Sequence, residues 1–173
     1  MDPDSPLKQM LDTLPQVGRV EWIGVRPGRG DPIVELERVA VSPEQGLDGD
    51  RYAGKPGSKR QVTLIQYEHL PVIASCVGSN APKPEELPGR LRRNVVVSGV
   101  NLLAFKDKTF RLGDAVLRGT GPCSPCSQME AALGPGGYNA MRGHGGITAT
   151  VVTAGRFAVG DAVGVVVETA DDL

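Results

Sequence analysis

Apolar and polar positions alternate along most of this chain, which predicts a succession of short strands broken by glycine and proline. Residues 1–15 read as a loosely held arm with one helical turn around Lys8 to Leu14. Val17 to Val25 (VGRVEWIGV) follows as a strand, the turn-rich RPGRGDP interrupts it, and Ile33 to Val41 (IVELERVAV) reads as its hairpin partner. Gly46 to Arg60 holds four glycines and the basic residues Arg51, Lys55, Lys59 and Arg60, too long and too charged for a simple connector, before the strand QVTLIQ. Tyr67 to Gly78 switches to a helical spacing of Leu70, Ile73, Ala74 and Val77, with Pro71 tolerated in the first turn and Gly78 as the stop. Cys76 falls in this apolar neighbourhood and reads as a small buried hydrophobe. A proline-bearing loop, NAPKPEELPGR, leads through Arg90, Arg92 and Arg93 into a buried strand at Val95 to Val97. The frame F-x-x-G-D-A-V occurs twice, at Phe110 and at Phe157. In each copy glycine and aspartate suit a tight turn between strands, so Asp114 and Asp161 read as turn residues. The strand ITATVVTAG completes a mainly β pattern, a barrel or folded sheet with two or three short helices.

Composition sharpens this picture. The 173 residues contain 23 Gly and 14 Pro, well above ordinary usage, and only seven aromatic side chains. A net charge of −1 lacks the cationic excess that non-specific binding to nucleic acid requires. Three cysteines are too few for a secreted disulfide scaffold, no window is apolar enough for a membrane helix, and the acidic, proline-containing N-terminus lacks a signal-peptide core. A cytoplasmic protein without nucleic-acid or membrane partners is expected.

The sharpest local chemistry is Cys123-Ser-Pro-Cys126, between the strand AVLRGTG and the helix-like SQMEAAL. Cys126 would stand at a helix N-terminus, where backbone N–H groups favour a thiolate. A structural zinc site would need two more ligands from Cys76, His69 and His144, and a thioredoxin-type motif would need a βαβ setting; an unreactive packed pair is the plain alternative. Two basic clusters, Arg51, Lys55, Lys59 and Arg60, and Arg90, Arg92 and Arg93, each precede a strand. From one barrel rim both would converge on an anion, whereas each taken alone reads as a solvated loop. Asn94 adds a neutral donor and acceptor. His144, in the flexible MRGHGG, is a secondary candidate for acid or base work, or simply an exposed loop residue.

The ordered set GLDGDRYAG, RQVTL, LRRNVVVSGVNL, F-x-L-G-D-A-V, GPCSPCSQME and GHGGITATVVTAG resembles the MOSC domain, the family named after the C-terminal domain of molybdenum cofactor sulfurases. The resemblance runs from about Gly18 to Val167 and implies a stand-alone, bacterial-type member: an arm at 1–16, the domain at 17–168 and a tail at 169–173. It implies a closed β-barrel with a few short α-helices and a role with the molybdenum cofactor (molybdopterin). Cys126 matches the family's reactive or metal-ligating thiol, and Arg92 and Asn94 match an Arg-x-Asn element that holds the pterin in the reductase branch. RRN replaces the more usual R-P-N, and a second cysteine, Cys123, is present. Arg60, Arg93, Arg51 and Lys59 would complete the cofactor's surroundings.

Three functions follow from this resemblance: an oxidoreductase reducing N-hydroxylated small molecules, a sulfur carrier loaded by a pyridoxal-phosphate cysteine desulfurase, and a non-catalytic cofactor carrier. Under the second, Cys123 would resolve a persulfide on Cys126. The chain shows no G-x-G-x-x-G after a strand and has too few cysteines for a four-thiolate iron–sulfur cluster, so the first needs an electron-donor reductase as partner.

Overall fold

Branched side chains on alternating positions build the strands, and the structure, a computed structural model, describes residues 2, 5–51, 56 and 58–166. In chain order the strands are β1 (Gly18–Val25), β2 (Val34–Glu35), β3 (Arg38–Ser42), β4 (Gly46–Leu47), β5 (Val62–Gln66), β6 (Val95–Ser98), β7 (Thr109–Leu112), β8 (Ala115–Pro122), β9 (Ile147–Thr153), β10 (Gly155–Ala158) and β11 (Ala162–Val165). The helices are α1 (Pro6–Asp12), α2 (His69–Val77), α3 (Leu87–Arg90), α4 (Ser127–Leu133) and α5 (Gly137–Met141).

Seven strands close a barrel in the order β11-β7-β8-β9-β5-β6-β1, sealed by β1 against β11. Among the described strands only β5 and β6 pair in parallel, because the chain between them crosses over through α2 and α3. Val95, Val96 and Val97 are all fully buried, since β6 has the barrel core on one face and the helices on the other. Val20, Leu64, Phe110 and Leu117 fill the barrel, while Leu70, Ile73, Met129 and Met141 pack outside it against Ile65 and Val96. A second sheet, β10-β3-β4, adds Val39, Val41, Leu47 and Phe157 to the barrel core.

Several expectations change in detail. The Ile33–Val41 strand is split: β2 pairs with β1 over two residues only, then β3 leaves for the second sheet and pairs with β10. Both F-x-x-G-D-A-V frames are turns, but the first makes the β7–β8 hairpin whereas the second carries the chain from one sheet to the other. Asp161 Oδ2 accepts from Ala158 N at 2.9 Å, the local bond expected of it. NAPKPEELPGR is largely helical turns, a 3₁₀ turn at Pro84–Glu86 running into α3. Five short helices stand among the described residues against two or three expected. The arm's helix begins earlier than expected, at Pro6 behind the cap Ser5, and its Asp12 pairs with Lys8 and with Lys108. Cys76 is exposed rather than buried: Leu70, Ile73, Ala74 and Val77 define the inner face of α2, and Cys76 turns about 100° away from it. Lys55 and the tail 169–173 lie outside the described residues.

Candidate functional site

Strand β8 delivers the chain into the cysteine loop, and two backbone ties hold the loop's first residue. Cys123 N donates to Gly146 O at 2.8 Å, and Cys123 O accepts from Arg93 Nη2 at 3.3 Å. Glycine is required opposite: a Cβ at Gly145 would lie 2.2 Å from Cys123 O, and Gly146 has φ +81° with Leu64 O 1.9 Å from where its Cβ would stand. Cys123 is 3 % exposed. Cys126 is exposed and is the residue immediately before α4, in extended conformation, as its sequence position predicts.

A cavity of about 240 Å³ opens beside the loop, and Arg26, Arg60, Arg92, Arg93, Cys123 and Cys126 all line it. The four guanidinium groups differ in what they do. Arg60 Nη2 stands 4.0 Å from Cys123 Sγ and has no carboxylate partner among the described residues. The Arg92 guanidinium makes no hydrogen bond or ion pair among them either, and its backbone sits at φ +56°, a conformation that costs a branched or long residue about 1–2 kcal/mol.

Arg93 is consumed by the fold. It donates Nε to Gly145 O and Nη1 to Leu91 O, both at 2.8 Å, besides its bond to Cys123 O. Burial pushes its pKa down, the neighbouring Cys123 and Cys126 oppose this, and the nearby Arg60 and Arg26 lower it further. Asn94 is likewise engaged: its Oδ1 accepts from Thr63 N (3.1 Å) and Oγ1 (2.8 Å), and its Nδ2 donates to Gly24 O at 3.2 Å. Expected as direct pterin contacts, both residues line the cavity as buried ties between strands and loops.

Arg26 was not singled out by its sequence. It follows β1 directly, on the rim shared with the other basic residues. Its backbone N donates to the buried Asp50 at 2.7 Å, but its Nε, 3.6 Å from the same carboxylate oxygen, is buried without a hydrogen-bond partner. Desolvation lowers the Arg26 pKa, Asp50 opposes this, and the charges of Arg92 and Arg51 lower it further. The available signal was GLDGD, whose second aspartate needs a cation once buried.

The remaining candidates lie elsewhere. Arg51 and Lys59 are exposed and do not line the cavity; Arg51 N bonds Arg26 O, and Lys59 lends its carbonyl to Thr120. His144 packs its ring edge-on against His69, centroids 5.0 Å apart, and also lies outside the cavity lining. Among the described residues no group of three or more His, Cys, Asp or Glu is placed to hold a metal ion, so the four-ligand zinc arrangement is not built there. Among them, too, no helix is long and apolar enough to cross a membrane. The arrangement combines one accessible thiol, one shielded thiol and cations lacking counter-ions, which suits an anion with a soft centre.

The model of the MOSC domain matches residues 49–164, more than half of the chain. Among solved structures, the YuaD protein from Bacillus subtilis superposes with a TM-score of 0.72 at 20% identity, covering 88% of this chain and 98% of that one. YiiM from Escherichia coli gives 0.60 at 19% identity, covering 88% and 72%, and YiiM from Geobacillus stearothermophilus 0.67 at 17%, covering 90% and 78%. These likenesses show the fold. No curated protein matches the sequence significantly.

Proposed function

Since the chain belongs to the MOSC domain family, we propose that the arginine-lined cavity binds the molybdenum cofactor and that the protein acts as an oxidoreductase on N-hydroxylated compounds. The donor set fits such a group. Its phosphate needs cations without counter-ions, which Arg60 and Arg92 provide, and the buried Nε of Arg26 lacks an acceptor. Its metal needs a soft ligand, and Cys126 is the accessible thiol in the same cavity. When bound, the cofactor would supply two-electron chemistry at its metal.

The chain's own residues hold and orient. Arg93 ties the Cys123 carbonyl and the Gly145 carbonyl together, so the loop carrying both cysteines is fixed before any ligand arrives. Asn94 and Thr63 lock β5 to β6 beneath it. Electrons would come from a partner reductase.

The observation that carries this reading is the exposed Cys126 thiol sharing one cavity with Arg92 and Arg60, neither of which has an acidic partner among the described residues. Molybdenum and sulfane sulfur should be measured on protein from a host that makes the cofactor, wild type beside Cys126→Ser. Near-stoichiometric molybdenum, lost in the variant, is expected; equal molybdenum in both would overturn the assignment of Cys126.

A second reading, the sulfur carrier, draws support from the second thiol in the same cavity, with Cys123 Sγ beside Arg60. Attack of the Cys126 thiolate on the outer sulfur of a desulfurase persulfide would leave Cys126–S–SH and free the donor's thiol. Metal-free protein with a Cys126-dependent persulfide would select this reading.

A further inference from the structure

The cavity beside the cysteines does not end at Arg92. A second cavity of about 390 Å³ shares Arg26, Arg92 and Gln128 with it and continues past Arg90 along the Ala131–Ala132 side of α4. We propose that the two form one groove and that its ligand carries a nucleoside diphosphate group. This rests on the anion-binding reading above and extends it to the class of ligand.

Three observations support a diphosphate over a single phosphate. First, the cations are strung along the groove: Arg60 lines its inner part, Arg26 and Arg92 line both parts, and Arg90 the outer. Asp31, in the outer part, is the one carboxylate among the described lining residues, and Arg90 is already paired loosely with Glu86 at 3.4 Å. Arg60 and Arg92 are the cations without an acidic partner among the described residues, and Arg26, though 3.6 Å from Asp50, keeps an unbonded Nε in the same lining; a diphosphate has adjacent anionic centres to match cations strung in this way. Second, the buried Arg26 Nε has no hydrogen-bond acceptor although Asp50 stands 3.6 Å away, and Arg92, which lines both cavities with it, has no anionic partner among the described residues. An anion bound where the two cavities meet would give the orphaned Arg26 donor an acceptor and Arg92 a counter-ion together. Third, Arg92 is held at φ +56° at this junction. A long side chain kept there against its backbone preference is aimed, and what it faces is the boundary shared by both cavities. Beyond the boundary the lining turns small and apolar, with Pro32, Ile33, Ala131 and Ala132, which suits a planar base more than another phosphate.

The test is calorimetric titration of the full chain with ADP, AMP, pyrophosphate and inorganic phosphate, with Arg92→Gly and Arg92→Asn alongside. Both substitutions accept the left-handed backbone, so the fold is kept and thermal stability should hold or rise. ADP should bind at least about tenfold more tightly than AMP, and pyrophosphate more tightly than phosphate, with both preferences lost in the two variants. Equal affinities for ADP and AMP, or an ADP preference unchanged in the variants, would overturn the inference. Molybdenum content, measured separately, keeps the two readings apart. Molybdenum-loaded protein without diphosphate preference defeats the groove alone, and diphosphate preference in a protein that never loads molybdenum defeats the cofactor alone.

Discussion

Replacing Arg93 with methionine removes a buried cation that makes three hydrogen bonds to carbonyls, those of Gly145, Leu91 and Cys123. Hydrogen bonds from a charged donor contribute about 1.5–3 kcal/mol each, so the gross loss is about 4–9 kcal/mol. Methionine no longer has to bury a guanidinium, and that relief returns several kcal/mol. The net expectation is about 2–4 kcal/mol of lost stability, which for a chain of this length lowers the midpoint of thermal unfolding by about 5–15 °C. Urea unfolding read by far-UV circular dichroism, with the single tryptophan, Trp22, as a second probe, measures it. The same variant should expose the Cys123 thiol to labelling, because Cys123 O loses its Arg93 partner and the Gly145 side of the loop is freed. Stability within about 0.5 kcal/mol of wild type would refute the assignment of Arg93 as a tie, since surface substitutions produce changes of that size. Its guanidinium would then be free for ligand, as its sequence position first suggested.

Ellman's reagent should label Cys76 and Cys126 rapidly in the native protein and Cys123 only on unfolding, so that Cys126→Ser leaves one fast thiol; a fast Cys123 would contradict its burial. Asn94→Ala and Thr63→Val should each destabilise by about 1–3 kcal/mol and the double variant by less than their sum, a coupling read from denaturation cycles. Burial, and after it the neighbouring His144, hold the His69 pKa below the usual histidine value, with Glu68 opposing. The folded state thus prefers neutral His69; its contribution is complete above pH about 6.5 and is lost as pH falls through the lowered value, and His69→Gln should flatten the stability profile between pH 7 and 5.

Where a residue's task is local, the sequence discloses it. Glycine after an apolar helical run stops α2 at Gly78, and a cysteine before SQMEAAL takes up its place directly before α4. The barrel was legible because Val-rich alternation and repeated turn signals both require it. Long-range partners were not legible. Nothing within Ile33–Val41 reveals that β3 will leave β1's neighbourhood for β10, over a hundred residues away. Arg92, Arg93 and Asn94 are adjacent and equally polar, yet only Arg92 keeps an uncommitted side chain, a division decided by the carbonyls of Gly145, Cys123 and Gly24, far off in sequence. Arg26 escaped notice because a single arginine after a strand has no signature until Asp50 is folded beside it.

The seam that seals the barrel has a consequence for synthesis. β1 meets β11 through two registered pairs, Gly18 with Val163 and Arg19 with Ala162, reinforced by Val20 N to Asp161 O and Gly160 N to Val20 O. A ribosome makes the first of these strands early and the second more than a hundred residues later. Throughout that interval β1 and, once made, β7 present bare edges, the kind of template on which nascent chains stick to one another. Fragments ending before Ala162 should therefore be found as aggregates, and the demand for protection by chaperones should end only when β11 has emerged.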